Sequence, residues 1–149
     1  MRPFVCAGAG FLLAVLWFDL MFDVQVLRRP QGELDEPVLA SIAAYYRRVT
    51  TTAAPMNRLV AAVMLLTLGA IIAQIAAGDA PAGVGWLSLA LAASAIGVAA
   101  ARTVPSAVRL GARDDPPAQQ GELARAVCRQ HLFCFGSIAT LLVVQLAAA

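Results

Sequence analysis

The chain has 149 residues, 60% of them hydrophobic and only 13% charged, and its mean hydropathy is +0.76. A soluble domain carries about 25% charged residues, so the composition describes a membrane protein, and the length suggests a single domain over 1–149. The formal charge of +2 is too small to indicate nucleic-acid binding. All eleven basic residues are arginine, which excludes P-loop, Schiff-base and Ser-x-x-Lys chemistry, each of which needs a lysine.

A spanning helix needs about 20 mostly apolar residues, and four stretches qualify. The first runs over about 4–27 and is closed by Arg28-Arg29-Pro30. Its apolar region is too long for a cleaved signal peptide, and no A-x-A site follows it. It contains two carboxylates, Asp19 and Asp23, four residues apart.

Between the first and second spans, Asp35-Glu36-Pro37 is a helix-start signal. Val38, Leu39, Ile42, Tyr45, Tyr46 and Val49 then recur at helical spacing. The pattern predicts an amphipathic helix over about 37–50. It either lies on the membrane, with Tyr45-Tyr46-Arg47-Arg48 reaching lipid phosphates, or caps the bundle; both uses need the same pattern. The hydroxyls of Thr50-Thr51-Thr52 are suited to cap the next helix.

The second span covers about 56–77, opened by Pro55 and ended by Gly78-Asp79. Pro55-Met56-Asn57 is similar to a Pro-x-Asn element of the small four-span anthrone-oxygenase-like family. The likeness covers three residues, and no activity, cofactor or site residue is carried over from it. After a tight turn, the third span covers about 83–101 and is rich in small residues. Ala93, Gly97 and Ala101 form a ladder suited to close helix packing, against another membrane protein or a second copy of the chain.

Residues 105–110 predict one or two helical turns before Gly111, a residue suited to a C-terminal cap. Asp114-Asp115-Pro116-Pro117 opens a further helix, which projects about three turns before becoming the fourth span at about 127–147. The expected fold is thus an all-α integral membrane protein, a four-helix transmembrane bundle with an interfacial helix. Cys6, Cys128 and Cys134 form no C-x-x-C pair and read as buried thiols.

Arginine placement sets an expected orientation. The first connection and its borders hold Arg28, Arg29, Arg47, Arg48 and Arg58; the third holds Arg102, Arg109, Arg113, Arg125 and Arg129; only Arg2 lies elsewhere. Those two connections are expected in the cytoplasm, with both termini outside. Arg and Ala richness points to a bacterial source, and hence to the inner membrane.

This topology brings polar groups of all four spans to one depth. Asp19 lies roughly 13 Å along the helix axis from Arg28 at 1.5 Å per residue, and Asp19 and Asp23 share a face. Asn57 and Arg58 open the second span, Arg102 closes the third, and Arg129 and His131 enter the fourth. The outer half reads as nearly devoid of polar groups.

A charge in mid-bilayer costs about 2.5–3.5 kcal/mol, so the carboxylates are expected to face inward and to be paired with arginine, protonated or hydrated; Arg58, Arg102 and Arg129 are the partners available at that depth. Such pairs can lock a bundle. They can also line a pocket for a lipid-like or quinone-like molecule, or pass protons. Asp19, Asp23 and His131 are the candidate catalytic groups, with His131 as base and a carboxylate orienting it. One histidine and no glutamate within the spans exclude a ferritin-like di-iron centre, and no metal is expected. The sequence leaves open which cofactor, if any, is bound and whether the protein is an enzyme. An accessory or interaction protein, in contact with membrane lipids, is the leading expectation.

Overall fold

A computed structural model of the chain describes residues 1–28 and 32–148. Arg29 and Pro30, part of the expected close of the first span, lie outside the described residues. Among the described residues six α-helices follow in order: α1 Arg2–Asp23, α2 Glu36–Arg47, α3 Ala54–Ala77, α4 Ala82–Val98, α5 Val104–Ala112 and α6 Pro117–Ala147. A 3₁₀ stretch, Val24–Arg28, extends α1. Among the described residues four helical segments are long and apolar enough to cross a membrane: Arg2–Arg28, Pro55–Ala77, Ala82–Ala112 and Pro117–Ala147.

The four long helices pack as a ring in chain order, α1 on α3, α3 on α4, α4 on α6 and α6 back on α1. Their core holds Val5, Ala9, Leu12, Ile71, Ala92, Ala95, Ile138 and Leu141. Large apolar side chains such as Phe4, Trp17, Phe18, Leu65, Leu66, Trp86 and Val143 point outward and are exposed. A bundle in water would not leave so much apolar surface bare; lipid is the solvent that suits it. Both termini meet at one end, where the Met1 amine lies 3.3 Å from the Asp79 carboxylate and Arg2 Nη2 donates to the Ala148 carbonyl at 2.6 Å.

A second core lies at the other end. Leu39, Ile42 and Tyr46 of α2 meet Ala107 and Leu110 of α5 and Ala124, Val127 and Cys128 of α6. The apolar face of α2 is therefore spent on protein, and the helix caps the bundle. Gly111 makes that contact possible: a Cβ there would sit 2.7 Å from the Arg47 nitrogen and 3.0 Å from its Cα. It is a close-approach glycine, and the expected cap role falls instead to Arg113, which turns left-handed at φ 59° to end α5.

The third span does not end at Arg102. A π-turn over Ala99–Thr103 joins α4 to α5 as one rod. Pro105 explains it: proline cannot donate to the carbonyl four residues back, and widening the turn just before it relieves the clash. A second π-turn, Arg48–Thr52, leads into α3. Here Thr50 Oγ1 donates to the Tyr46 carbonyl at 2.7 Å, and Thr51 Oγ1 donates to that of Arg47. These hydroxyls bond backward and do not cap α3, which has no side-chain cap.

With 31 residues, α6 is roughly 46 Å long at 1.5 Å per residue. That exceeds a hydrocarbon core of about 30 Å, so its first turns belong to the cap and the rest to the bundle. The Ala93–Gly97–Ala101 ladder faces outward and is exposed. The contacts of α4 within the chain use a different set of small residues, Gly85, Ser88, Ala92 and Ala95.

Candidate functional site

Asp23 ends α1 at the level where the bundle core meets the cap core, and it is fully buried. Its helix places Asp19 one turn earlier on the same face. Two neighbours cover these acids. The end of α2 brings Tyr45 and Tyr46, and α6 brings His131, three residues past Cys128 of the cap core and three before Cys134 of the bundle core.

The contacts form a chain of five side chains. Tyr45 Oη donates to Asp19 Oδ1 at 2.6 Å, and Tyr46 Oη donates to Asp23 Oδ1 at 2.6 Å. His131 Nδ1 lies 2.6 Å from Asp23 Oδ2, a contact that needs one proton between the two atoms. On the other edge of the ring, Nε2 stands 3.8 Å from Asp19 Oδ2, too far for a hydrogen bond. The order is Tyr45–Asp19–His131–Asp23–Tyr46, with the imidazole between the two carboxyls and a phenol capping each.

Ring contacts hold the phenols in place. Phe22 stacks on Tyr45 with centroids 4.2 Å apart and planes within 11°, and Tyr45 meets Tyr46 edge-on at 5.2 Å. Burial, then the negative fields of Asp23 and Asp19, push the Tyr46 phenol far above its ordinary range. Burial and Asp19 do the same to Tyr45. Both hydroxyls therefore stay protonated and serve as donors.

Of the expected site residues, the fold gathers Asp19, Asp23 and His131. It leaves Arg58, Arg102 and Arg129 exposed, and among the described residues none of them forms an ion pair with either acid. Asn57 turns away and donates its amide to the Val49 carbonyl. Tyr45 and Tyr46 stand where an arginine partner was one expectation. Among the described residues no three His, Cys, Asp or Glu side chains converge as metal ligands; the carboxyls approach opposite nitrogens of the one imidazole.

The opposite end of the bundle also holds buried polar groups, against the expectation of a nearly apolar outer half. Gln74 and Gln145 are fully buried and exchange amide hydrogen bonds at 3.1 and 3.0 Å. Gln145 Nε2 also donates to buried Ser88 at 2.9 Å. Three helices, α3, α4 and α6, are tied there.

Chemically, the five-member cluster can fasten α2 and α6 to α1, and it can hold a proton between the Asp23 carboxyl and the His131 imidazole. No family model matches the chain, and no curated protein or solved structure is significantly similar to it. The reading of the site therefore rests on its geometry.

Proposed function

We propose that this protein is an accessory membrane protein of the bacterial inner membrane whose Asp/His/Tyr cluster is a polar clamp between the bundle and its cap. The observation that carries this reading is closure. Both oxygens of Asp23 and one of Asp19 are engaged by the chain's own hydroxyls and imidazole. A buried polar network with its members satisfied rigidifies a core and selects one arrangement of its elements. The clamp fixes a cap surface made by α2 and α5 for interaction with other molecules at the membrane. The arginine distribution supports placing that cap in the cytoplasm, with both termini outside. A partner helix or a second copy would take the exposed Ala93–Gly97–Ala101 face, and cysteine cross-linking at 93 and 97 tests that contact.

Asp19→Asn and Asp23→Asn, each assayed for folding in detergent, test the clamp. Loss of the folded state in Asp23→Asn is the expected result. Unchanged stability in both variants would remove the clamp from consideration.

One observation favours a second reading, an enzyme or binding protein for a quinone-like or lipid-like small molecule. The 3.8 Å gap between His131 Nε2 and Asp19 Oδ2 lies beside a carboxyl whose side chain is 16% exposed. A ligand carbonyl or hydroxyl entering there would meet a ring nitrogen and a carboxyl together. Organic extracts of the purified protein distinguish the readings. A co-purifying molecule lost in a folded Asp19→Asn variant supports the second.

A further inference from the structure

A groove of about 500 Å³ runs between α5 and the start of α6, away from the Asp/His/Tyr cluster. Arg109, Arg125 and Arg129 line it, with Glu122 as the one acid, and Leu123 and Ala126 supply apolar wall. Arg109 also bonds Asp115 at 2.8 Å and Arg125 donates to the Gly32 carbonyl, so both guanidinium groups are held in place. Arg129 is exposed, and among the described residues it forms no ion pair.

The groove lies at the height where α6 changes from polar to apolar. Residues three and four apart share a helix face, so the face carrying Arg125 and Arg129 continues directly into Leu132 and Phe133. Both are exposed, 43% and 48%, and Val143 lies further along α6, also exposed. Within about one turn, roughly 5.4 Å, the same face passes from guanidinium groups to a surface suited to hydrocarbon. A molecule that fits must carry an anion at one end and an aliphatic chain at the other, aligned with the membrane normal. Arg129, which forms no ion pair among the described residues, sets the sign of the head, with Arg109 beside it already paired to Asp115. Arginine forks match phosphate oxygens in pairs.

We infer that the α5–α6 groove binds the phosphate headgroup of an anionic phospholipid, with an acyl chain lying along Leu132 and Phe133. Basic recesses between spanning helices at the membrane boundary are suited to such headgroups. The site is independent of the clamp, and it stands whichever leaflet the cap faces.

The test is native mass spectrometry of the full chain released from nanodiscs that mix phosphatidylglycerol with phosphatidylcholine. The wild type is expected to retain phosphatidylglycerol above its share of the mixture. Arg109→Gln with Arg129→Gln is expected to lower that enrichment roughly twenty-five-fold, at about fivefold per arginine near an anionic surface. Arg58→Gln, an exposed arginine outside the groove, is expected to leave it unchanged.

Undiminished enrichment in the double variant overturns the inference. So does an equal loss in Arg58→Gln, which would mean surface charge alone. Full displacement of the lipid by inorganic phosphate would assign the groove to a free anion and also overturn it. If the double variant does not fold, the wild type decides: enrichment that persists at high salt overturns a headgroup site held by charge.

Discussion

At the end of the bundle where the termini meet, three neutral groups, Gln74, Gln145 and Ser88, satisfy one another. At the opposite end two carboxyls, an imidazole and two phenols do so, across α1, α2 and α6. Both sets lie among apolar side chains, the second with Asp19 and Tyr45 half-buried, yet they differ in what their loss would expose. Losing one amide leaves a neutral group, which can find a backbone partner at modest cost. Losing one member of the acid cluster leaves a charge or a strong donor without its partner at a largely buried site. The first set ties helices that already pack on each other through their apolar cores. The second is placed where the bundle ends, and it joins a cap that would otherwise depend on its own smaller core.

That difference predicts the largest effect at Asp23. Asp23→Ala removes the acceptor of both Tyr46 and His131, and breaking a buried pair from one side costs about 3–5 kcal/mol. Thermal unfolding in detergent is expected to show that loss. Limited proteolysis is expected to cut first near exposed Arg47 and Arg48 as α2 comes away. Asp19→Ala should cost less, because Asp19 is partly exposed and stands 3.8 Å from the ring. Equal costs at the two positions would erase the polarity assigned to the cluster.

Tyr46→Phe comes next. A hydrogen bond to a charged group contributes about 1.5–3 kcal/mol, and the ring and its packing are kept. This variant also reports on pH. The phenol's folded pKa is raised above the ordinary 10.0. Below pH 10 both folded and unfolded forms keep the proton, and the contribution is fully present. As pH rises further the unfolded phenol ionises while the folded one does not, so stability falls. Wild-type stability measured against pH is expected to decline above about 10, and Tyr46→Phe is expected to flatten part of that decline.

The spans were legible because lipid imposes a length and an apolar composition on every helix that crosses it. The amphipathic character of α2 was legible from its period. Asp19 and Asp23 on one face, with His131 at the same depth, followed from helix geometry and chain direction alone. Depth, however, says nothing about azimuth. Arg58, Arg102 and Arg129 are exposed, and among the described residues none of them pairs with the acids. Tyr45 and Tyr46 beside Arg47-Arg48 carry the pattern of a membrane-surface anchor; their hydroxyls reach the acids only because α2 folds back onto α5 at Gly111. The signal that could have found them was chemical: two buried carboxyls need donors, and with the arginines exposed adjacent phenols are the donors at hand. Gln74 and Gln145 stand 71 residues apart, each alone in an apolar run, and only the ring order of the helices makes them a pair.

The smallest effect tests the comparison most sharply. Gln74→Leu alone leaves Gln145 half-satisfied, and an interhelical side-chain bond within a membrane is worth about 0.6 kcal/mol, up to about 1.7. Gln74→Leu with Gln145→Leu removes both partners, and replacing both by apolar groups of similar size is close to neutral. Ser88 then bonds back to its own helix, as buried serines do. The double variant is therefore expected to be no less stable than either single. The same cycle on Asp23 and His131 should show no such recovery, because the buried Tyr46 hydroxyl is left without Asp23, its acceptor. Thermal unfolding of both sets in one detergent gives the two coupling energies. Additive losses in the glutamine cycle, or recovery in the Asp23→Leu, His131→Leu double, would mean that the two ends bury polarity in the same way.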